Sequence, residues 1–147
     1  MKKILVVALV ILAISGISYA AIEEYYEEKP IKIQKADPFD SEKQVKIRIG
    51  KDITFKITVY QGEFFGDTTI SANANIDNTT QKKVKAMYSI AFFDKDGKLV
   101  GCHQGSWDLE PNDDVNYGSG IIYADEESIA SITSYKLRTQ VIESKKK

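Results

Sequence analysis

Ile53-Thr54-Phe55-Lys56-Ile57-Thr58-Val59 sets an apolar side chain at every second residue and a polar one between. In an extended chain successive side chains point to opposite faces, so this alternation makes a strand with one side on a core and the other in water. The same period of two runs outward in both directions. Toward the N-terminus, Val45, Ile47 and Ile49 alternate with Lys46 and Arg48, and Gly50-Lys51-Asp52 supplies the turn between. Toward the C-terminus, Ile70, Ala72, Ala74 and Ile76 alternate with Ser71, Asn73 and Asn75 and stop at the turn-forming Asp77-Asn78-Thr79-Thr80.

The pattern continues through Val84, Ala86, Tyr88, Ile90 and Phe92, with Met87, Ala91 and Phe93 apolar on the reverse side. That stretch predicts a central strand covered on both faces near its end. Asp94-Lys95-Asp96-Gly97 is hairpin chemistry, with Gly97 free to take the left-handed conformation. A three-residue loop there opposes Phe92 to Val100 and Ile90 to Cys102, which puts Cys102 on the core face and His103 on the other. Glu110-Pro111-Asn112-Asp113-Asp114 is a further turn, and strand-like residues resume from Val115 to Tyr123. Asp125-Glu126-Glu127-Ser128-Ile129-Ala130 predicts a helix of one or two turns, capped by Asp125 and with glutamates at its positive end. Tyr135, Leu137, Thr139 and Val141 alternate in the last strand. Seven or so strands joined by turns predict an all-β fold: an antiparallel immunoglobulin-like β-sandwich with one short helix near 125–131.

The N-terminus reads differently. Met1-Lys2-Lys3 precedes an aliphatic run, Ile4 to Ile14, and then small residues at Ser18 and Ala20. Cations, a short apolar stretch and small residues two apart form a secretory signal of bacterial style, residues 1–20, with cleavage between Ala20 and Ala21. The run of roughly 11 residues is shorter than the ~20 of a membrane-spanning helix. An uncleaved anchor extended through Ile17 to Ala21 is the alternative. The expected place of action is therefore extracytoplasmic, periplasmic or secreted, with membrane attachment only through an uncleaved N-terminal segment. Residues 21–44, rich in charge and holding two of the three prolines, read as an extended lead to a domain over 45–147; within the lead, Ile31 and Ile33 alternate as an edge strand would. Its glutamates, Glu23, Glu24, Glu27 and Glu28, read as a solvated tether.

Composition excludes several classes. The 147 residues carry 20 basic and 21 acidic side chains; without Lys2 and Lys3 the balance is 18 against 21, about −3. No basic surplus exists to neutralise a phosphate backbone, so nucleic acid is not an expected partner. Cys102 is the sole cysteine, so no internal disulfide can hold the domain and a hydrophobic core must; the residue itself reads as a small buried hydrophobe, with an exposed thiol available for an intermolecular bridge as the alternative.

The stretch from Ile70 to Glu143 resembles the FxLYD-type domains of bacterial envelope proteins. Four features carry the resemblance: Asn75-Ile76-Asp77-Asn78; Ile90-Ala91-Phe92-Phe93-Asp94 followed by Lys95-Asp96-Gly97-Lys98; Leu109-Glu110-Pro111; and Ser134-Tyr135-Lys136-Leu137-Arg138. The resemblance implies a small immunoglobulin-like, noncatalytic extracytoplasmic module and assigns no site residue.

Chemistry-bearing residues are few. His103 is the only histidine, and neighbours in a strand point to opposite faces, so Cys102 and His103 cannot chelate one ion. No elbow or oxyanion loop accompanies either residue. Asp94-Lys95-Asp96-Gly97 lacks the further ligands of a calcium loop. Asn78-Thr79-Thr80 is formally a glycosylation acceptor. No metal, cofactor or catalytic residue is expected. The binding candidates are aromatic: Phe64 and Phe65, either an exposed anchor or a plug for the end of the sandwich, and Trp107, either a core residue or a stacking platform with Tyr117 and Tyr123. The sequence therefore predicts a noncatalytic module for an envelope or secreted protein or component. A small hydrolase or metal-dependent enzyme using His103, and a secreted inhibitor or immunity protein, are the alternatives.

Overall fold

A computed structural model describes residues 22–144, and for residues 115–119 the backbone alone. The proposed signal, its Ala20/Ala21 junction and the terminal Lys145-Lys146-Lys147 lie outside the described residues. The described chain is an antiparallel β-sandwich. Its strands are β1 (Glu23–Pro30), β2 (Val45–Ile49), β3 (Ile53–Phe64), β4 (Asp67–Asn78), β5 (Val84–Asp94), β6 (Leu99–Leu109), β7 (Asp114–Tyr123) and β8 (Ile132–Glu143), with one short helix, α1 (Glu126–Ala130), before β8. One sheet has the order β1-β8-β5-β6 and the other β2-β3-β4-β7. Eight strands are present where the turns predicted about seven. The additional one is β1, which lies in the segment read as a lead.

Alternation builds the core as expected. Phe55, Ile57, Val59, Ile70, Ala72, Ala74 and Ile76 from one sheet meet Val84, Ala86, Tyr88, Ile90, Phe92, Leu137 and Val141 from the other, all buried. Each of the larger side chains contributes about 1.5–3 kcal/mol by leaving water. On the reverse side of β5 Phe93 is also buried, and the Lys136 ammonium stands 5.3 Å from its ring centre. The helix forms where the cap chemistry placed it: Asp125 Oδ1 accepts the Ser128 N–H at 2.7 Å, and Ile129 plugs the core.

Two expectations fail for identifiable reasons. First, residues 23–30 are not a tether. They pair with β8 along their whole length, Glu23 opposite Val141 and Pro30 opposite Ser134. The glutamates are matched by cations on β8: Arg138 Nε donates to Glu24 at 2.8 Å, and Lys136 lies 3.5 Å from Glu28.

Second, Cys102 does not face the core. The Asp94 turn forms as predicted, with Gly97 at φ +73° and Asp94 Oδ1 accepting the N–H groups of Asp96 and Lys98. The ladder then shifts between Phe92 and Phe93, so that Phe93 faces Leu99 and Phe92 faces Gly101. Val100 is the additional residue. One extra residue flips every later side chain to the opposite face. Cys102 is consequently exposed, and His103 turns inward.

Asn78, in the formal acceptor motif, has a structural place. It is buried, its amide nitrogen donates to the carbonyls of Lys82 and Glu110 at 2.8 Å each, and its oxygen accepts from the N–H and hydroxyl of Thr80. Asn78 ties together two loops at one end of the sandwich.

Candidate functional site

Two places gather the residues singled out from sequence, one along a flank of the sandwich and one at an end. The first is the seam between β6 and β7. With the register flipped, Gly101, His103, Gly105, Trp107 and Leu109 form the inner row of β6. Trp107 stacks on Tyr88 with ring centres 5.4 Å apart and planes at 10°. Its indole lies over Gly105, where a Cβ would fall 1.8 Å from the ring. Only glycine fits beneath it, and the ring covers the backbone that glycine leaves bare. Tyr88 Oη and His103 Nδ1 are 2.9 Å apart. The His103 ring rests on Gly120 of β7, where a Cβ would approach three ring atoms to 2.4–2.5 Å.

This arrangement has a clear electrostatic character. Burial holds the His103 pKa below its ordinary value and pushes the Tyr88 phenol well above its own. The neutral ring and the neutral phenol therefore satisfy one another in the seam. Trp107 serves the closure of the sandwich here. It lies toward the opposite end of the molecule from Tyr123, so those two do not form a platform.

The second place is the end of the sandwich where β3 and β4 outrun their neighbours. β2 begins opposite Val59, and β7 ends opposite Thr69, so the hairpin tip projects beyond both. Residues 34–36 flank its base, with the Gln61 N–H donating to the Gln34 carbonyl and the Ala36 N–H to the Gln61 carbonyl. Phe64 faces Asp67 across the last pair, which leaves Phe65-Gly66 as a two-residue loop. Both loop residues have positive φ, +51° for Phe65 and +89° for Gly66. That is the conformation of a type I′ turn, where asparagine or glycine is usual at the first position and a bulky side chain is strained. Phe65 is 93% exposed, and its ring meets Phe64 edge-on at 4.5 Å.

Other large apolar side chains stand open at this end. Phe39, in the loop before β2, is 94% exposed, and Tyr123, at the end of β7, is 61% exposed. Leu99, at the start of β6, is also exposed. Phe64 and Phe65 are thus an exposed pair and not a plug. The sequence flagged both, and the positive φ of Phe65 follows from a two-residue loop whose only glycine is in second place. Phe39 and Leu99 went unnoticed, and Tyr123 was placed beside Trp107, because nothing local to them announces which end of the fold they reach. Among the described residues, no three of His, Cys, Asp and Glu gather to hold a metal ion.

No family model matches the sequence, and no curated protein does. Among solved structures, the chain is similar to a DUF1425 family member from Shewanella sp. pv-4, with 14% identity over 69% of this chain and 90% of that one, at a TM-score of 0.37. It is also similar to part of the infectious bursal disease virus Gx strain structure, with 16% identity over 86% of this chain and 28% of that one, at a TM-score of 0.29. A third is the enzymatically active domain of bacteriophage CBA120 tailspike protein 4, with 10% identity over 82% of this chain and 17% of that one, at a TM-score of 0.26. The FxLYD resemblance rests on the residues quoted for it, and the structure adds to them a small antiparallel β-sandwich.

Proposed function

We propose that this chain is an exported, noncatalytic β-sandwich module that binds a protein or an envelope component through the β3–β4 end. Phe65 carries the reading. A phenylalanine held at positive φ costs about 1 kcal/mol relative to a residue suited to the turn, and at 93% exposure it recovers nothing from the core. Such a residue is retained where its side chain has a use outside the fold, and exposed aromatic rings at a projecting tip are the usual anchors of an interface. Phe39, Phe64, Leu99 and Tyr123 extend the apolar character across the same end.

The N-terminal pattern of Lys2, Lys3 and the following aliphatic run supports export, and the FxLYD resemblance points to the same compartment. β1 enters the fold at the end opposite the Phe65 tip and spans about 26 Å. Should the apolar N-terminus stay in a membrane, the tip would face away from that membrane. The noncatalytic reading is supported by His103 having Nδ1 engaged by Tyr88 and by Cys102 standing on the other side of the strand.

The test is affinity capture with the full chain from an extracytoplasmic fraction, with mass spectrometry of what is bound. Phe65→Asn gives the type I′ turn a preferred residue, so its Tm should rise by a few degrees while capture falls roughly tenfold, about 1.4 kcal/mol. Phe64→Ala should lower capture without raising Tm. An unchanged partner set in the Phe64→Ala/Phe65→Asn double variant would overturn the proposal.

A further inference from the structure

We infer that the β3–β4 end takes a partner of one chemistry: a protein surface with an apolar recess rimmed by lysine or arginine. The inference rests on the reading of this end as a binding surface and adds what the partner must carry. Two exposed rings stand here on separate loops, and each lies between carboxylates of its own loop. Phe65 is bracketed by the exposed Glu63 and Asp67, and Phe39 by Asp37, Asp40 and Glu42. A built turn holds the second ring out. Asp37 Oδ1 accepts the Phe39 N–H at 2.9 Å, and the Asp37 carbonyl accepts the Asp40 N–H at 2.9 Å. The Gln44 amide closes the loop by donating to the carbonyls of Asp37 and Pro38 at 3.1 and 2.9 Å. Both loops are thus set before a partner arrives, which lowers the entropic cost of docking.

Charge selects the occupant. Residues 31–44, 61–67, 94–98 and 124–131 make up this end: Pro30 opposes Ser134, Lys35 bridges to Gln61, Asp94 opposes Ile132, and the Ala124 N–H donates to the Thr68 carbonyl. They hold ten carboxylates and five lysines, whereas the loops of the opposite end, 50–52, 79–83 and 110–114, hold four and three. Elsewhere the carboxylates are answered, with Glu24, Glu28, Asp77, Glu110 and Glu143 each within 3.5 Å of a cation. Among the described residues of this end two ion pairs form, Lys43 with Asp40 and Lys95 with Asp96. The Glu63 and Asp67 side chains, on either side of the Phe64-Phe65 pair, are exposed and meet no cation among the described residues. An apolar projection ringed by unanswered negative charge is complementary to an apolar recess ringed by positive charge, and such a rim speeds encounter and rejects wrong partners. The same carboxylates repel an anionic lipid surface, into which bare phenylalanines would otherwise insert.

Two host molecules of one shape and opposite charge test the rim: a calixarene bowl carrying quaternary ammonium groups and the same bowl carrying sulfonates. Each is titrated into the full chain and followed by the NMR signals of the Phe64 and Phe65 rings. The cationic bowl should bind roughly tenfold more tightly than the sulfonated one, and raising salt from about 0.05 to 0.5 M should narrow that difference. Glu63→Gln/Asp67→Asn should weaken the cationic bowl roughly fivefold with both rings in place, and circular dichroism shows that the fold is kept. The same double variant should lose, in affinity capture, the proteins that Phe65→Asn loses. Equal binding of the two bowls, or no binding of the cationic one, overturns the cationic rim. So does capture that needs Phe65 and ignores Glu63→Gln/Asp67→Asn, which would leave the end standing as a binding surface. Capture that ignores the phenylalanine changes as well would overturn the reading beneath it. Co-sedimentation with phosphatidylcholine and phosphatidylglycerol vesicles that Phe65→Asn abolishes would overturn the protein partner in favour of lipid.

Discussion

On the flank formed by β1 and β2, a carboxylate joins the two sheets, Glu23 accepting the N–H groups of Lys51 and Ile53 at 2.7 and 3.3 Å, while its neighbours on β1 pair with Arg138 and Lys136 of β8 in their own sheet. On the flank formed by β6 and β7, the sheets close without charge. Gly120 admits the His103 ring, Gly101 lies under Ile122, and Trp107 covers Gly105. The first flank is held by long side chains that stay partly in water and repel a further strand. The second is held by contact between backbone and rings, which tolerates no added atom and leaves the edge without a guard. Stability is thus expected to depend on the two flanks very unequally, and the following outcomes measure how unequally.

The largest effect is expected at Gly120. A methyl group there meets the His103 ring at 2.4–2.5 Å, and the ring is held in place by Tyr88. Gly120→Ala should cost about 2–3 kcal/mol, which for a domain of this size lowers Tm by roughly 8–12 °C. The contrast sharpens in a double-mutant cycle. His103→Ala alone leaves the buried Tyr88 hydroxyl unpaired and costs about 1–3 kcal/mol, but in the Gly120→Ala background the two losses should sum to less than their separate values. Additive losses, read from chemical denaturation, would show that ring and glycine do not press on one another.

The next effect is one of pH. Burial lowers the His103 pKa, so the unfolded chain takes up a proton before the folded one does. Its contribution is present in full above the unfolded value of 6.5 and is lost as pH falls from there through the depressed folded value. Denaturation midpoints should therefore drop on acidification below pH 6.5, and His103→Gln should flatten that part of the profile. A wild-type profile that is already flat between that pH and the onset of carboxylate titration would place His103 in water.

The sequence carried most of the sandwich. Alternation located the core faces of β3, β4, β5 and β8, and the Asp94 and Asp125 chemistry located a turn and a cap, because each of those signals is local. The β6 face was misread for a reason that is also physical. A bulge at Val100 is decided by how β5 and β6 twist against one another, and no residue near it demands it. Even so, a corrective signal was present: Gln104, Ser106 and Asp108 are polar at alternate positions, so the opposite row, with Trp107 and Leu109, had to face inward. β1 was missed because four glutamates resemble a tether until Lys136 and Arg138 are seen beside them, and that pairing joins residues more than a hundred positions apart. At the hairpin end, Gly66 made the Phe65 turn legible. Its exposure depended on where β2 and β7 stop, which is a property of the whole sheet.

The smallest effect is expected on the charged flank. Glu24 and Arg138 make a close pair, with Nη2 2.6 Å and Nε 2.8 Å from the same carboxylate oxygen, but both side chains are partly solvated. Water competes for each charge, and ordering two long side chains offsets much of what attraction remains, so such pairs are worth about 0.2–1 kcal/mol. Glu24→Gln keeps the shape and a hydrogen-bonding oxygen and should cost no more than about 0.5 kcal/mol, falling toward zero in ~1 M salt. The backbone ladder between β1 and β8 is untouched by the change, so the edge stays paired. A cost above about 1 kcal/mol that survives high salt would mean that the pair is shielded from water. The β1 and β2 flank would then be closed by contact, as the β6 and β7 flank is, and the contrast between the two would fail.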